Sequence, residues 1–265
     1  MIRTFGNYTC VDINGTLYHE DGDVSNAIVT RQCLSYSHTP FCVDIGADQG
    51  WWTRWILAHN SDATIHVFEP NPISYKHLEK DLGQTPQVYL HNVAVSTTNG
   101  TLPLYLEKGQ SHSRVMDGKE MTHVPCVTLS SVLSDTIIDI LKIDVEGHEL
   151  QVFESIRPWI ESGRVNTIIT EFTPKWYGQT KDEQFQECMS FFHNFPPQFQ
   201  EVYCLSRHHD FIVGPIKPDE YGILIDTLLQ TNLQTDIVLT NISLCHSDIS
   251  QICLHDYILQ LSNRL

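Results

Sequence analysis

The chain has 265 residues, 41% of them hydrophobic and 18% charged, which is ordinary globular material sufficient for one domain with or without an extension. Its 32 acidic and 16 basic residues give a formal charge of −16 with no clustered basic surface, which argues against a nucleic-acid partner. The eight cysteines form no Cys-x-x-Cys pair and several sit in apolar runs, so a reduced, cytoplasmic setting is the simpler expectation.

No apolar stretch approaches transmembrane length and the Met1 to Asn7 start lacks a signal-peptide core, so no membrane partner is expected. The sequons at Asn7, Asn14, Asn99 and Asn241 then read as chance matches.

In chain order, residues 1–40 read as a lead-in: short β-like pieces at Tyr8 to Val11 and Thr16 to Tyr18, then a helix over Asn26 to Tyr36. From residue 41, strands and helices alternate. The pattern predicts strand 41–45, helix 51–59, strand 64–68, helix 72–81, strand 87–91, strand 138–143, helix 148–156, strand 165–171 and helix 181–193. Such alternation implies a largely parallel sheet with covered faces.

Thr101 to Leu106 and Met121 to Val127 read as a hairpin around a polar excursion at 107–119, a loop suited to capping a substrate pocket. Gln200 to Leu205 and Phe211 to Val213 read as a terminal antiparallel hairpin, and 41–215 as the main domain. The remaining 216–265 reads as an extension whose stripe Leu254, Tyr257, Ile258, Leu261 and Leu265 packs on the core, with a homodimer interface the weaker alternative.

The most informative segment is Phe41-Cys42-Val43-Asp44-Ile45-Gly46-Ala47-Asp48-Gln49-Gly50, an apolar strand that breaks into a glycine turn before a helix. Glycines 46 and 50 permit a tight turn and close backbone approach to a ligand. The next strand ends in Glu69, about twenty residues on, where an acid accepts hydrogen bonds from ribose hydroxyls. A dinucleotide site needs a further glycine where Asp48 stands, and a carboxylate there repels phosphate. Acids lining the turn suit the ammonium and sulfonium of S-adenosylmethionine, which is favoured over NAD.

The run Ile137 to Ile143 leads into Asp144-Val145-Glu146-Gly147-His148-Glu149, which puts Asp144 at the carboxyl end of a strand, the edge where open α/β sheets bind ligands. Glu171 ends the strand Val165 to Thr170 at the same edge. Lys142 inside its apolar strand reads as a side chain snorkelling to the sheet end.

Taken in order, VDIGADQG at 43–50, FEPNP at 68–72, HNVAVS at 91–96, LKIDVEGHE at 141–149 and TIITEF at 167–172 resemble the FkbM family of S-adenosylmethionine-dependent methyltransferases. The resemblance covers about residues 25–215. It implies an α/β fold with a class I methyltransferase, Rossmann-like sheet, mostly parallel with an antiparallel terminal strand and helices on both faces. It also implies O-methylation of sugar or polyketide-type hydroxyls.

By position, the resemblance implies that Asp44, Gly46, Ala47 and Gly50 cradle the methionine part and that Glu69, followed by Pro70, holds the ribose. Asn92 and Ala94 would lie near the adenine, and Asp144 and Glu146 would face the reacting centre. The Asp48-Gln49 pair followed by Trp51 and Trp52 departs from the family pattern.

The acceptor hydroxyl must lose a proton, and His148 is the first choice as general base, with Asp144 and Glu171 as alternatives or orienting groups. Glu149 reads as a carboxylate stabilised at a helix start. Asp144, Glu146 and Glu171 have the oxygens Mg²⁺ prefers, but no spacing demands a metal and none is favoured. The expectation is therefore an O-methyltransferase acting on a carbohydrate or other small hydroxylated acceptor. An NAD-dependent sugar oxidoreductase and a methyltransferase-like binding module are the alternatives.

Overall fold

The computed structural model of the chain describes residues 2–5, 8–13, 16–19, 24–106, 113–114, 120–193, 195, 199, 201–205, 211–242, 244 and 250–262. The elements are β1 (Ile2–Phe5), β2 (Tyr8–Ile13), β3 (Thr16–His19), α1 (Val24–Leu34), β4 (Phe41–Ile45), α2 (Trp51–His59), β5 (Thr64–Phe68), α3 (Pro72–Leu82), β6 (Val88–His91) and β7 (Ala94–Val95). They continue with β8 (Gly100–Leu106), β9 (Ser113–Arg114), β10 (Glu120–Val127), β11 (Ile138–Ile143), α4 (Glu149–Glu161), β12 (Val165–Phe172) and α5 (Lys181–His193). The last are β13 (Glu201–Leu205), β14 (Phe211–Val213), α6 (Tyr221–Thr231), β15 (Thr235–Thr240), β16 (Ser250–Ile252) and α7 (Leu254–Ser262).

A nine-stranded sheet of order β16-β14-β13-β15-β12-β11-β4-β5-β6 forms the centre. β12, β11, β4, β5 and β6 are parallel neighbours, so the chain reverses its direction of travel across the sheet between β4 and β11. That places the ends of these two strands at a switch point, where a crevice opens above the carboxyl edge. The continuous apolar character of β4 and β11 follows from burial on both faces by helices.

One face carries α1, α2 and α3 on a cluster that includes Trp52, Trp55, Ile65, Ile140 and Leu78. The other carries α4, α5, α6 and α7 on a cluster with Ile143, Phe153, Phe172, Phe192 and Leu224. The α7 stripe joins this second cluster through Leu254, Tyr257 and Leu261, with Ile258 against it. Leu265 lies outside the described residues.

Local signals fix the element ends. Asn71 caps α3 by accepting from the Ile73 N–H ahead of a first-turn proline, and α6 stops at Asn232 in the left-handed conformation. β8 and β10 pair antiparallel as the expected hairpin, joined by β7 and β9 in a separate four-stranded sheet.

The central sheet continues past residue 215. β13 and β14 do pair antiparallel, but the strand beside β12 is β15, inserted antiparallel between β12 and β13. The 216–265 segment thus supplies an interior strand of the central sheet rather than an appendage to it. Thr235–Thr240 escapes a search for alternation because all its residues are buried, so both faces of the strand are covered.

Candidate active site

β4 runs into a turn in which Gly46, Asp48 and Gly50 all have positive φ, 82°, 48° and 80°. The room each glycine frees is taken by the protein itself. A Cβ on Gly46 would meet the Asp144 carbonyl, and one on Gly50 would meet the Leu78 side chain of α3. Gly46 and Ala47 donate their N–H groups to the Phe68 carbonyl, which continues the β4–β5 pairing into the turn.

Glu69, 4% exposed, ties this turn to the next: its two carboxylate oxygens accept from the Asp48 and Asn71 N–H groups, each at 2.7 Å. Burial pushes its acid up to about 8 although these two bonds oppose the shift. Asp48 is also engaged through its side chain, accepting from Ser74 Oγ at 2.7 Å. Asn92 donates to the Glu69 carbonyl at 2.8 Å, whereas Ala94 is enclosed in the second sheet opposite Cys126.

Asp44 is 1% exposed and accepts from Thr53 Oγ1 at 2.7 Å through Oδ2. Its Oδ1 is buried with no hydrogen-bond partner among the described residues. Burial raises the acid to about 6, against the attraction of Lys142 and the Thr53 bond. A buried acceptor lacking a donor is costly, and a ligand with an N–H group or positive charge satisfies it.

β11 and β12 deliver the rest of the rim. Carboxylate oxygens of Asp144, Glu146 and Glu171 all lie within 4.8 Å of one another, with Glu171 itself 3% exposed. Glu171 accepts from Gln234 Nε2 at 3.2 Å. This spacing suits one shared proton or one cation, and an acidic cluster alone assigns no metal. The structure thus brings Asp144, Glu146 and Glu171 together at the ends of adjacent strands.

His148 sits elsewhere. It is 8% exposed at the N-cap of α4, with Nε2 at 3.2 Å from Ser96 Oγ, and burial lowers it to about 4. A ring so desolvated binds a proton poorly. Glu149, fully buried, accepts from the Gly147 N–H with both oxygens at 3.1 Å and from Tyr177 OH at 3.0 Å. It closes the turn that carries Asp144 and Glu146.

Two groups escaped sequence reasoning, and a third, Lys142, was noticed without its partner. Asp236 is the register partner of Glu171, 3% exposed and held by Asn26 Nδ2 at 3.0 Å. Thr53, one turn into α2, anchors Asp44. Lys142 stands in register with Asp44 and reaches Asp144 at 2.7 Å, so the side chain extends to the sheet end as expected and forms an ion pair there. A signal existed for Asp236, the β-branched run Thr235-Asp236-Ile237-Val238-Leu239-Thr240, but not for its neighbour in the sheet.

A family profile described as "Methyltransferase FkbM domain" matches residues 44–212, well over half of the chain. Methyltransferase sdnD of Sordaria araneosa is 28% identical over 171 residues, covering 49% of this chain and 66% of that one. Among solved structures, methyltransferase FkbM from Methylobacillus flagellatus KT aligns at a TM-score of 0.47 and 14% identity, over 76% of this chain and 44% of its own. The fibrillarin pre-rRNA processing protein of Methanococcus jannaschii aligns at 0.48 and 8%, over 91% of this chain and 86% of its own. The chain therefore spans about two-thirds of the curated relative and under half of the FkbM structure.

Proposed function

The chain belongs to the FkbM methyltransferase family, and from that premise we propose that it transfers the methyl group of S-adenosylmethionine to a hydroxyl oxygen of a sugar, free or within a glycan or glycoside. The observation that carries the proposal is the acidic rim at the switch point: Asp44, Glu69, Asp144, Glu146 and Glu171 rise from the ends of four adjacent strands, with Lys142 paired to Asp144 among them. A rim of this sign attracts a sulfonium and an ammonium and repels a pyrophosphate. The sugar acceptor rests on the family resemblance. The segment read as capping a substrate pocket, 107–119, lies outside the described residues except Ser113–Arg114.

When bound, S-adenosylmethionine supplies a methyl group on a positively charged sulfur that leaves as a neutral thioether. Asp44, through its unsatisfied Oδ1, and the turn 46–50 would hold the methionine end. Gly46 and Gly50 contribute backbone and turn shape, since protein atoms fill the space beside their Cα atoms. Glu69 and Pro70 would hold the ribose edge, with Asn92 fixing the Glu69 carbonyl beside them.

Asp144 and Glu171 would take up the acceptor hydroxyl's proton as its oxygen forms the new bond to carbon, with Glu146 adding field at the rim. A role for His148 in holding Ser96 and the start of α4 fits its burial better than proton transfer. Most of the acceleration in such an in-line displacement comes from alignment and exclusion of water.

Incubation with methyl-labelled donor and a panel of mono- and oligosaccharides, with and without EDTA, tests the proposal by mass spectrometry of the products. A new O-methyl group on a sugar supports it. Binding of S-adenosylhomocysteine with no transfer to any hydroxyl would instead mark a binding module, and binding of NADH in its place would overturn the donor.

A further inference from the structure

We propose that Lys142 is a positioning residue for methyl transfer: its ammonium holds one oxygen of Asp144 and so aims the other at the acceptor hydroxyl. The inference rests on the methyltransferase reading above and goes beyond it, to how the rim is set.

Lys142 is 6% exposed in the middle of an otherwise apolar strand, Ile138, Ile140, Leu141 and Ile143 all being buried around it. An aliphatic residue would fill this position without the cost of desolvating an ammonium. A buried ion pair is weak support for stability in general, so the charge calls for another reason.

The direction of the side chain supplies it. Nζ lies 2.7 Å from Asp144 Oδ2, and the Asp144 side chain is 29% exposed against 7% for that of Lys142, so the lysine reaches from the sheet interior to an acid that opens toward the crevice. The two deeper acids near it have neutral donors of their own, Thr53 for Asp44 and Asn26 for Asp236.

The charged groups facing the pair come from every strand around it. They are Asp44 from β4, Glu146 from the turn after β11, Glu149 from the start of α4, Glu171 from β12 and Asp236 from β15. Burial pulls the Lys142 ammonium toward neutrality, but Asp144, Asp44 and Asp236 together pull it the other way and prevail. Lys142 therefore stays charged throughout the working pH range, and Asp144 has a fixed cationic partner.

The test compares the whole chain with Lys142→Met, Asp144→Asn and the double variant. Measured quantities are methyl transfer from about pH 5 to 9, S-adenosylhomocysteine affinity, and the titration of the Asp144 carboxyl carbon by NMR. Loss of the ammonium is expected to move the Asp144 titration and the acid limb of kcat upward by one pH unit or more. The expected fall in kcat is about 10- to 100-fold, with product affinity within about 3-fold, and little further loss when Lys142→Met is added to Asp144→Asn.

An unchanged titration and limb, or losses that multiply in the double variant, overturns the inference and leaves the methyltransferase reading intact. A wild-type chain that binds no S-adenosylhomocysteine overturns that reading instead. Should Lys142→Met fail to fold, Lys142→Gln is read in the same way. Failure of both to fold beside a stable Asp144→Asn also overturns the inference, because the ammonium would then serve the buried acids alone.

Discussion

A Cβ atom built on Gly46 would stand 1.8 Å from the carbonyl oxygen of Asp144, so the two loops of the crevice meet backbone to backbone. Any side chain at 46 must push the β4 and β11 ends apart, and φ of 82° adds strain of its own. Gly46→Ala is expected to lose at least about 2 kcal/mol of stability and to abolish donor binding. Urea unfolding with and without S-adenosylhomocysteine checks both, and a variant that unfolds and binds like the parent would contradict the contact.

The rim was legible where chemistry sits at a strand end and illegible where it depends on neighbours. Asp44, Glu69, Asp144 and Glu171 each fall at or next to the end of an apolar run, so the sequence alone puts them at one edge. Asp236 faces Glu171 only because β15 enters between β12 and β13 in reverse, which is a fact of sheet order and not of local pattern. His148 drew notice for its usual pKa, but burial lowers it, and its partner Ser96 lies 52 residues earlier in the chain. Gly46 looked like a ligand contact and is required first by another loop.

Glu149 joins the start of α4 to the turn carrying Asp144. Its carboxylate accepts from Gly147 N–H and from Tyr177 OH, all of them buried. Glu149→Ala leaves those donors without their acceptor inside the protein and is expected to lower stability by about 2–5 kcal/mol. Glu149→Gln keeps an acceptor and is expected to lose less. Denaturant midpoints of the two variants decide it, and equal losses would mean that the hydrogen bonds are not what the carboxylate provides.

The base assignment separates by rate. His148, lowered to about 4 by burial, is neutral near pH 7 and tied to Ser96, so His148→Gln is expected to reduce kcat by less than about 10-fold. Asp144→Asn or Glu171→Gln removes a rim carboxylate and is expected to reduce kcat by about 10²- to 10⁴-fold. Single-turnover transfer rates on the methylated acceptor measure the contrast. A His148 variant as damaged as the carboxylate variants, with its pH profile flattened on the acid side, returns the role to the imidazole.

The buried acids also set the pH response of the unliganded fold. Burial raises Glu69 to about 8, Glu149 to about 7 and Asp44 to about 6. Each folded value exceeds the unfolded one near 4, so the stability each contributes is complete in acid and lost as pH rises through the folded value. His148 and His66, both lowered to about 4, act oppositely: their contribution is complete above about 6.5 and lost as pH falls toward 4. Between about pH 7 and 8 these two histidines are largely neutral in both states, while Glu69 and Glu149 still differ between them. Over that window the melting temperature is expected to fall by several degrees as pH rises. Glu69→Gln, which cannot ionise, is expected to flatten the upper part of the slope, so scanning calorimetry that shows parallel curves for the parent and this variant would exclude Glu69 as its origin.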